Sequence, residues 1–232
     1  IITFQLLLQD EVGALFKLLP VFVDHKANIQ TINSIIPTNG CAVLTITAEN
    51  VFTMSSCKLT VKDSSAEKTG KIDNSAIASN GGNMFLVYDN SELTIESGTI
   101  HAKNNVIFTY GSNIKVTING GELKHFVSTG SVLYPVASDA TITVNGGTLL
   151  GAIPFNYGTL VVKGGQFTQD VSAYCAYGFT TKLVDGMYQI VEAEKNVFIG
   201  ENSYLTLEDA LNAAKENDVV EIRAAGSYVL KR

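Results

Sequence analysis

The chain has 232 residues, of which 46% are hydrophobic and 16% are charged, so it can bury a sizeable core. Its net charge is −6, and its two arginines, Arg223 and Arg232, both lie near the C-terminus. This balance argues against nucleic acid as a partner. Three cysteines without a CxxC spacing argue against a disulfide framework and a zinc site, and no apolar run has the length of a membrane span.

Residues 1–50 predict a βαββ order of elements. An apolar strand over residues 1–8 precedes a helical pattern that opens at Asp10 and runs to about Lys26. Two further strand-like segments, residues 27–33 and 41–47, are joined by a turn at residues 37–40. The chain starts at Ile1 rather than at Met, so we expect it to be a fragment of a longer protein.

The N-terminal segment resembles the first part of a PheB-type ACT domain. The resemblance is carried by the loop pattern D-x-x-G-x-L at Asp10, Gly13 and Leu15, and by the string ANIQTINSIIP at residues 27–37. It implies an amino-acid site at a dimer interface, to which Asp10, Gly13 and Asn28 would contribute, and a cytoplasmic location. Relative to the βαββαβ order of that family, residues 1–50 form an incomplete ACT-like segment, since nothing after Asn50 supplies the second helix and the last strand.

The middle of the chain contains a repeat of the form apolar-x-apolar-x-Gly/Ser-Gly-x-apolar. A looser first copy, Leu59–Val61 with residues 70–72, carries an insertion between its two strands. A third apolar segment follows several copies, which predicts three strands for each coil of a three-sided solenoid. The four clear copies span residues 93–100, 116–123, 142–149 and 160–167, and the third segments span residues 84–88, 106–110 and 132–136.

Alternation along each repeat strand predicts which side chains face inward. The Gly-Gly pairs are expected at corners, where glycine allows a positive φ. A threonine is expected to face outward in three of the four copies. The inward side chains should stack as two aliphatic ladders, Leu93, Val116, Ile142 and Leu160 in one, and Ile95, Ile118, Val144 and Val162 in the other.

This region resembles the Gly-Gly-Thr-rich repeats of bacterial cell-surface and adhesin-like proteins. The resemblance implies a mostly β fold, a right-handed three-sided parallel β-helix similar to the pectate-lyase solenoid, over residues 51–190. A β-sandwich is the alternative fold. It is disfavoured because each repeat strand matches the equivalent strand of the next copy, as axial stacking requires.

Residues 191–232 predict a linker strand, a helix and a further strand. Thr206 is the expected N-cap, and Glu208 and Asp209 favour the helix N-terminus. The segment resembles the opening of β-helix modules, so it is either a capping helix for the same solenoid or the start of a next module. The apolar stripe of the helix is Leu207, Ala210, Leu211 and Ala214.

The solenoid sequence predicts no catalytic residue, no metal and no cofactor. A pectate-lyase-like site needs an arginine base beside clustered carboxylates, and the solenoid contains no arginine. Asp89 and Asp139 are expected in charged turns, and Glu96 in a turn ladder with the corner residues of later coils. His101 and His125 lack metal-ligand spacing, and an exposed polar ladder is expected for them.

Outward aromatic side chains give the remaining candidate surface. Phe108, Tyr110, Tyr134, Phe155 and Tyr157 recur in the third segments, and an aligned strip of Tyr110, Tyr134 and Tyr157 would suit a glycan or a host or cell-surface protein. We therefore predict a noncatalytic structural or adhesive β-helix module of a bacterial surface protein, located at the cell surface or outside it. The alternatives are a carbohydrate-binding or polysaccharide-degrading β-helix protein and an ACT-type amino-acid-binding regulator.

Overall fold

The computed structural model describes residues 2–9, 29–38, 41–48, 52–67, 69–76, 82–136, 139–226 and 228, the first three ranges as backbone strands. This part of the chain is mostly β and contains parallel sheets. Its strands form four sheets, which we name A (ten strands), B (four), C (five) and D (three).

Three strands precede the repeats: β1 (Ile2–Gln9), β2 (Ile29–Thr38) and β3 (Cys41–Ala48). β3 lies between the other two and is antiparallel to both. These strands agree with the strand positions expected from residues 1–50. The expected helix between β1 and β2 lies outside the described residues.

The repeats form five successive coils of chain, and each of the first four passes through sheets B, C and A in that order. The fifth coil contributes strands to sheets C and A. The strands are β4 (Phe52–Met54), β5 (Lys58–Val61) and β6 (Lys71–Asp73) in coil 1; β7 (Phe85–Val87), β8 (Glu92–Ile95) and β9 (Thr99–Ala102) in coil 2; β10 (Ile107–Tyr110), β11 (Lys115–Ile118) and β12 (Glu122–His125) in coil 3; β13 (Leu133–Val136), β14 (Thr141–Val144) and β15 (Thr148–Leu150) in coil 4; β16 (Thr159–Val162) and β17 (Gln166–Phe167) in coil 5.

Parallel pairing in register confirms the two aliphatic ladders. Val116 pairs with Leu93 on one side and with Ile142 on the other, and Ile142 pairs with Leu160. The ladder side chains are buried, as are Phe85 and Phe167, which are among the largest fully buried residues. The first coil begins earlier than the sequence repeat indicates, because Phe52 starts a sheet B strand before Leu59.

The Gly-Gly corners between sheets C and A are needed for space as well as for backbone conformation. Gly121 has φ 90°, and a Cβ there would lie 2.6 Å from the carbonyl oxygen of Gly98 in the coil below. A Cβ on the preceding Gly120 would lie 2.7 Å from the carbonyl oxygen of Glu96. Adjacent coils therefore approach too closely at these corners for any larger residue.

Sheet A continues past the coils at both ends through antiparallel strands. β1 pairs with β6, so an edge of the N-terminal three-stranded sheet is joined to coil 1. At the other end, β17 pairs with β19 (Met187–Glu192), which forms a hairpin with β18 (Phe179–Val184). Both terminal edges of the stacked part of sheet A are thereby paired, and the edge strands of the described sheet are β18 and β2.

The C-terminal segment forms sheet D, with β20 (Val197–Ile199) between β21 (Asn202–Tyr204) and β22 (Val220–Ile222). The helix α1 (Leu207–Ala213) begins at the predicted N-cap, and Thr206 and Asp209 form a capping box. The expected apolar stripe is only partly used: Ala210 is buried, whereas Leu211 is 44% exposed.

The corner glycines give the first testable prediction. Three Gly-to-Ala variants distinguish the steric clash of an added Cβ from the backbone strain of a positive φ. Gly186→Ala adds a Cβ at φ 79° with nothing within 4 Å, and should lower the free energy of unfolding by about 1 kcal/mol. Gly121→Ala combines positive φ with a backbone clash and should cost about 3 kcal/mol or more. Gly120→Ala tests the clash alone. Urea unfolding measures all three, and equal losses for Gly121→Ala and Gly186→Ala would contradict the close approach of the coils.

A buried hydroxyl in sheet B gives the second prediction. Thr109 is fully buried between Val87 and Pro135, and its Oγ1 has no hydrogen-bond partner in the described part of the chain. Thr109→Val should raise the free energy of unfolding by about 1 kcal/mol, because it removes an unsatisfied buried polar group. Thr143→Val, on the outward side of β14, is the matched control and should change stability by less than about 0.5 kcal/mol. A loss of stability in Thr109→Val would show that the hydroxyl is satisfied.

Candidate functional site

The outward side of sheet B carries a row of aromatic and apolar side chains, which we name the aromatic face. It arises because β7, β10 and β13 alternate strictly: Phe85, Ile107 and Leu133 point inward and are fully buried. The neighbouring residues in each strand therefore point outward. The aromatic face consists of Leu86, Tyr88, Phe108, Tyr110, Tyr134 and Val136.

The rings of the aromatic face contact one another from coil to coil. Phe108 stacks on Tyr134 with a centroid distance of 5.7 Å and an interplanar angle of 28°. Tyr88 meets Tyr110 edge to face at 6.2 Å. Tyr110 is nevertheless 52% exposed and Tyr134 is 37% exposed. Ring-to-ring contact thus fixes the side chains while a large part of their surface stays open to solvent.

Tyr157, the third member of the strip predicted from sequence, is not aligned with the other two. Residues 151–158 contain no strand, so Tyr157 has no register partner in sheet B, although it is 53% exposed. Phe155 instead packs edge to face against Tyr174. Tyr88 was missed as a member of the face, although it ends a segment equivalent to the one that Tyr110 ends.

Two carboxylates border the aromatic face at the corner between sheets B and C. The backbone N–H of Ser112 donates to Asp89 Oδ1 at 2.6 Å, and the N–H of Asn113 donates to Asp139 Oδ1 at 2.5 Å. Asp89 thus reaches up from coil 2 and Asp139 reaches down from coil 4 to the same corner of coil 3. These contacts agree with the expected charged turns.

The corner between sheets C and A carries the predicted turn ladder. Asn145 Nδ2 donates to Asn119 Oδ1 at 2.8 Å, and Asn119 Nδ2 donates to Glu96 Oε1 at 3.0 Å. Asn119 both donates and accepts, so the column joins three coils along one exposed edge. Glu96 is therefore a member of a turn ladder.

The two histidines of the coils do not form the expected ladder. His101 pairs laterally with Lys124, whereas His125 pairs with Ala102 and lies on the other side of the strand. His101 Nε2 lies 2.8 Å from Glu122 Oε1, and its ring meets Phe126 edge to face. The prediction was wrong because the number of residues between His101 and His125 places them in different registers.

His125 instead joins two coils through their backbones. Its Nε2 accepts from the N–H of Ala152 at 3.1 Å, and its Nδ1 lies 3.0 Å from the carbonyl oxygen of Val127. This arrangement requires a neutral ring with the proton on Nδ1. A Cβ at Gly151 would lie 2.1 Å from the same ring, so the glycine makes room for the contact.

Asp73 begins a short polar row on the outward side of sheet A. Partial burial raises the pKa of Asp73, but hydrogen bonds from Lys71 and Ser75 outweigh it and hold the pKa below its ordinary value. Lys71 Nζ lies 2.6 Å from Asp73 Oδ2, and His101 Nδ1 lies 3.9 Å from the same oxygen. The row is a network of polar contacts across coils 1 to 3, in which Lys71 and Asp73 form an ion pair.

The remaining candidates do not add a second site. Asp10, Gly13 and Asn28, the residues that the ACT resemblance implies, lie outside the described residues. Within the described ranges, no group of three or more His, Cys, Asp or Glu side chains is arranged to hold a metal ion. The helices in this part of the chain are all too short or too polar to cross a membrane.

The described residues thus define a mostly β protein with parallel sheets and an exposed aromatic face on sheet B. No protein-family model, curated protein or solved structure matches the chain.

Carboxylates that cap turns give the third prediction, a loss of stability in acid. Hydrogen bonds from Thr206 and Tyr177 hold the pKa of Asp209 below its ordinary value of 3.8, and a bond from the Ser172 N–H does the same for Asp170. Because both pKa values are depressed by folding, this stabilisation is present above pH 3.8 and is lost as the pH falls through the lower folded-state values. Urea unfolding between about pH 5 and pH 2 measures the loss.

The matched variants for this prediction are Asp209→Asn and Asp185→Asn. Asp209→Asn should lower stability at neutral pH and flatten the acid dependence, because the charged acceptor is gone. Asp185 is exposed in the β18–β19 turn, and its replacement should leave the acid dependence as it is. If the free energy of unfolding of Asp209→Asn fell with decreasing pH as steeply as that of the parent chain, the stabilising role given to Asp209 would be contradicted.

Proposed function

We propose that the coils form a right-handed, three-sided parallel β-helix that acts as a noncatalytic structural and adhesive module of a bacterial surface protein. One observation carries the proposal. Successive coils stack in register around a filled apolar interior, while the aromatic face holds large rings at the surface. Such a molecule is a scaffold with a contact surface.

The end of the stack at coils 4 and 5 has features that limit the addition of a further strand. Sheet A is continued at both ends by antiparallel strands. In sheet B, the last strand β13 contains Pro135, which has no N–H to offer a further strand. In sheet C, Val162 of the last strand forms a bridge with Cys175 from the closing loop. At this end, the stacked strands of the three sheets are therefore followed by three different features: a hairpin in sheet A, a proline in sheet B and a bridge in sheet C.

A polysaccharide-binding or polysaccharide-degrading protein is the second candidate, and the aromatic face favours its binding form. Hydrolysis of a glycoside by the common mechanisms requires two carboxyl groups that flank the bond at about 5–10 Å from each other. Asp89 and Asp139 each have one oxygen committed to a backbone N–H of the coil 3 corner. Their positions fit a structural role at the border of the face.

The fourth prediction concerns the noncatalytic role. It is tested by incubating the purified chain with a panel of soluble polysaccharides. We expect no release of reducing ends, and no difference between the parent chain, Asp139→Ala and the control Asp185→Asn. Release of products that is abolished by Asp139→Ala and kept by Asp185→Asn would overturn the proposal and make the chain a glycoside-cleaving enzyme.

A further inference from the structure

The aromatic face differs from the outward side of sheet C in the same coils. Equivalent outward positions on sheet C carry threonine and charged residues, so coil stacking does not itself demand rings on the surface. The contrast lies in the grouping of the rings, because the exposed aromatic side chains of sheet B adjoin one another from coil to coil. The contrasting outward residues of sheet C are Lys58, Thr60, Glu92, Thr94, Lys115, Thr117, Thr141 and Thr143.

The size of the aromatic face limits what it can hold. Three strands spaced about 4.8 Å apart, each with about four residues, present roughly 200 Å². A stable protein–protein interface buries about 800 Å² on each partner. The face is therefore too small to dock a folded protein by itself, but it accommodates a few sugar rings.

The charges around the aromatic face define the chemistry of its ligand. Its six residues are all uncharged, and Asp89 and Asp139 border it. Their Oδ1 atoms accept backbone N–H groups, which leaves each Oδ2 as an acceptor for hydroxyl donors. Carboxylates at the border repel anionic polymers, and the net charge of −6 adds to that repulsion. A neutral, hydroxyl-rich ligand complements this surface.

We propose that the aromatic face binds a linear, uncharged polysaccharide. Sugar rings pack against the exposed parts of Tyr110 and Tyr134, and the carboxylates of Asp89 and Asp139 accept hydrogen bonds from sugar hydroxyls. Rings repeat along the stack at the coil spacing, so successive sugars of an extended chain meet successive coils. This inference rests on the adhesive role proposed above and specifies its ligand.

Affinity electrophoresis in native gels tests the proposal. The gels contain mixed-linkage β-glucan, galactomannan or polygalacturonate, and the parent chain should be retarded by at least one neutral polymer and not by polygalacturonate. The double variant Tyr110→Ala/Tyr134→Ala should bind about tenfold more weakly. Tyr134→Phe keeps the ring and should bind more tightly than the double variant, because packing against a sugar needs the ring.

Tyr157→Ala is the matched control, because Tyr157 is as exposed as Tyr110 but lies outside sheet B. It should bind like the parent chain, and thermal melting should show that every variant is folded. The proposal is overturned if neither neutral polymer retards the chain, if Tyr157→Ala weakens binding as much as the double variant, or if polygalacturonate is the preferred ligand.

Sedimentation velocity tests whether the aromatic face instead binds a second copy of the chain. Self-association that the double variant abolishes would assign the aromatic face to that second copy and would also overturn the proposal. A chain that binds no polysaccharide and releases no product would refute the ligand while leaving the noncatalytic role intact. Product release, by contrast, would refute the noncatalytic role, so the two failures are distinguishable.

Discussion

The close approach of one coil to the next is the constraint on which the rest of the structure depends. Parallel strands in register place each coil about 4.8 Å from its neighbour, and every equivalent position then meets its own counterpart. At the corners the carbonyl oxygens of Gly98 and Glu96 occupy the space that side chains at Gly121 and Gly120 would need. The glycines are therefore a geometric requirement of the stacking.

The same constraint sorts the other side chains into columns. Inside, an aliphatic residue meets an aliphatic residue, so Leu93, Val116 and Ile142 exclude water together. Outside, an amide meets an amide at Asn119 and Asn145, and a ring meets a ring at Phe108 and Tyr134. Similar side chains at equivalent positions of successive coils therefore form continuous columns. The aromatic face arises in this way from short segments.

What could be predicted from the sequence is what repeats. The ladders, the Gly-Gly corners and the turn ladder at Glu96 follow from one pattern, because local alternation decides them. The position of Tyr157 did not follow, since residues 151–158 leave the repeat and form no strand. The separation of His101 from His125 depends on the register between coils of unequal length. The pairing of β1 with β6 joins segments that share no pattern, so the sequence offered no signal for it.

Sheet A has a mechanical consequence because it runs through both end caps. Its hydrogen bonds point along the stacking direction, so tension between the N-terminal strands and the β18–β19 hairpin would load the strand pairs in series. Strand pairs that are loaded in this way separate first where the fewest residues are paired. That contact is the two-residue strand β17, where only Gln166 and Phe167 connect coil 4 to the hairpin within this sheet. Under load, the described part of sheet A would separate at β17 and leave the coils that carry the aromatic face assembled.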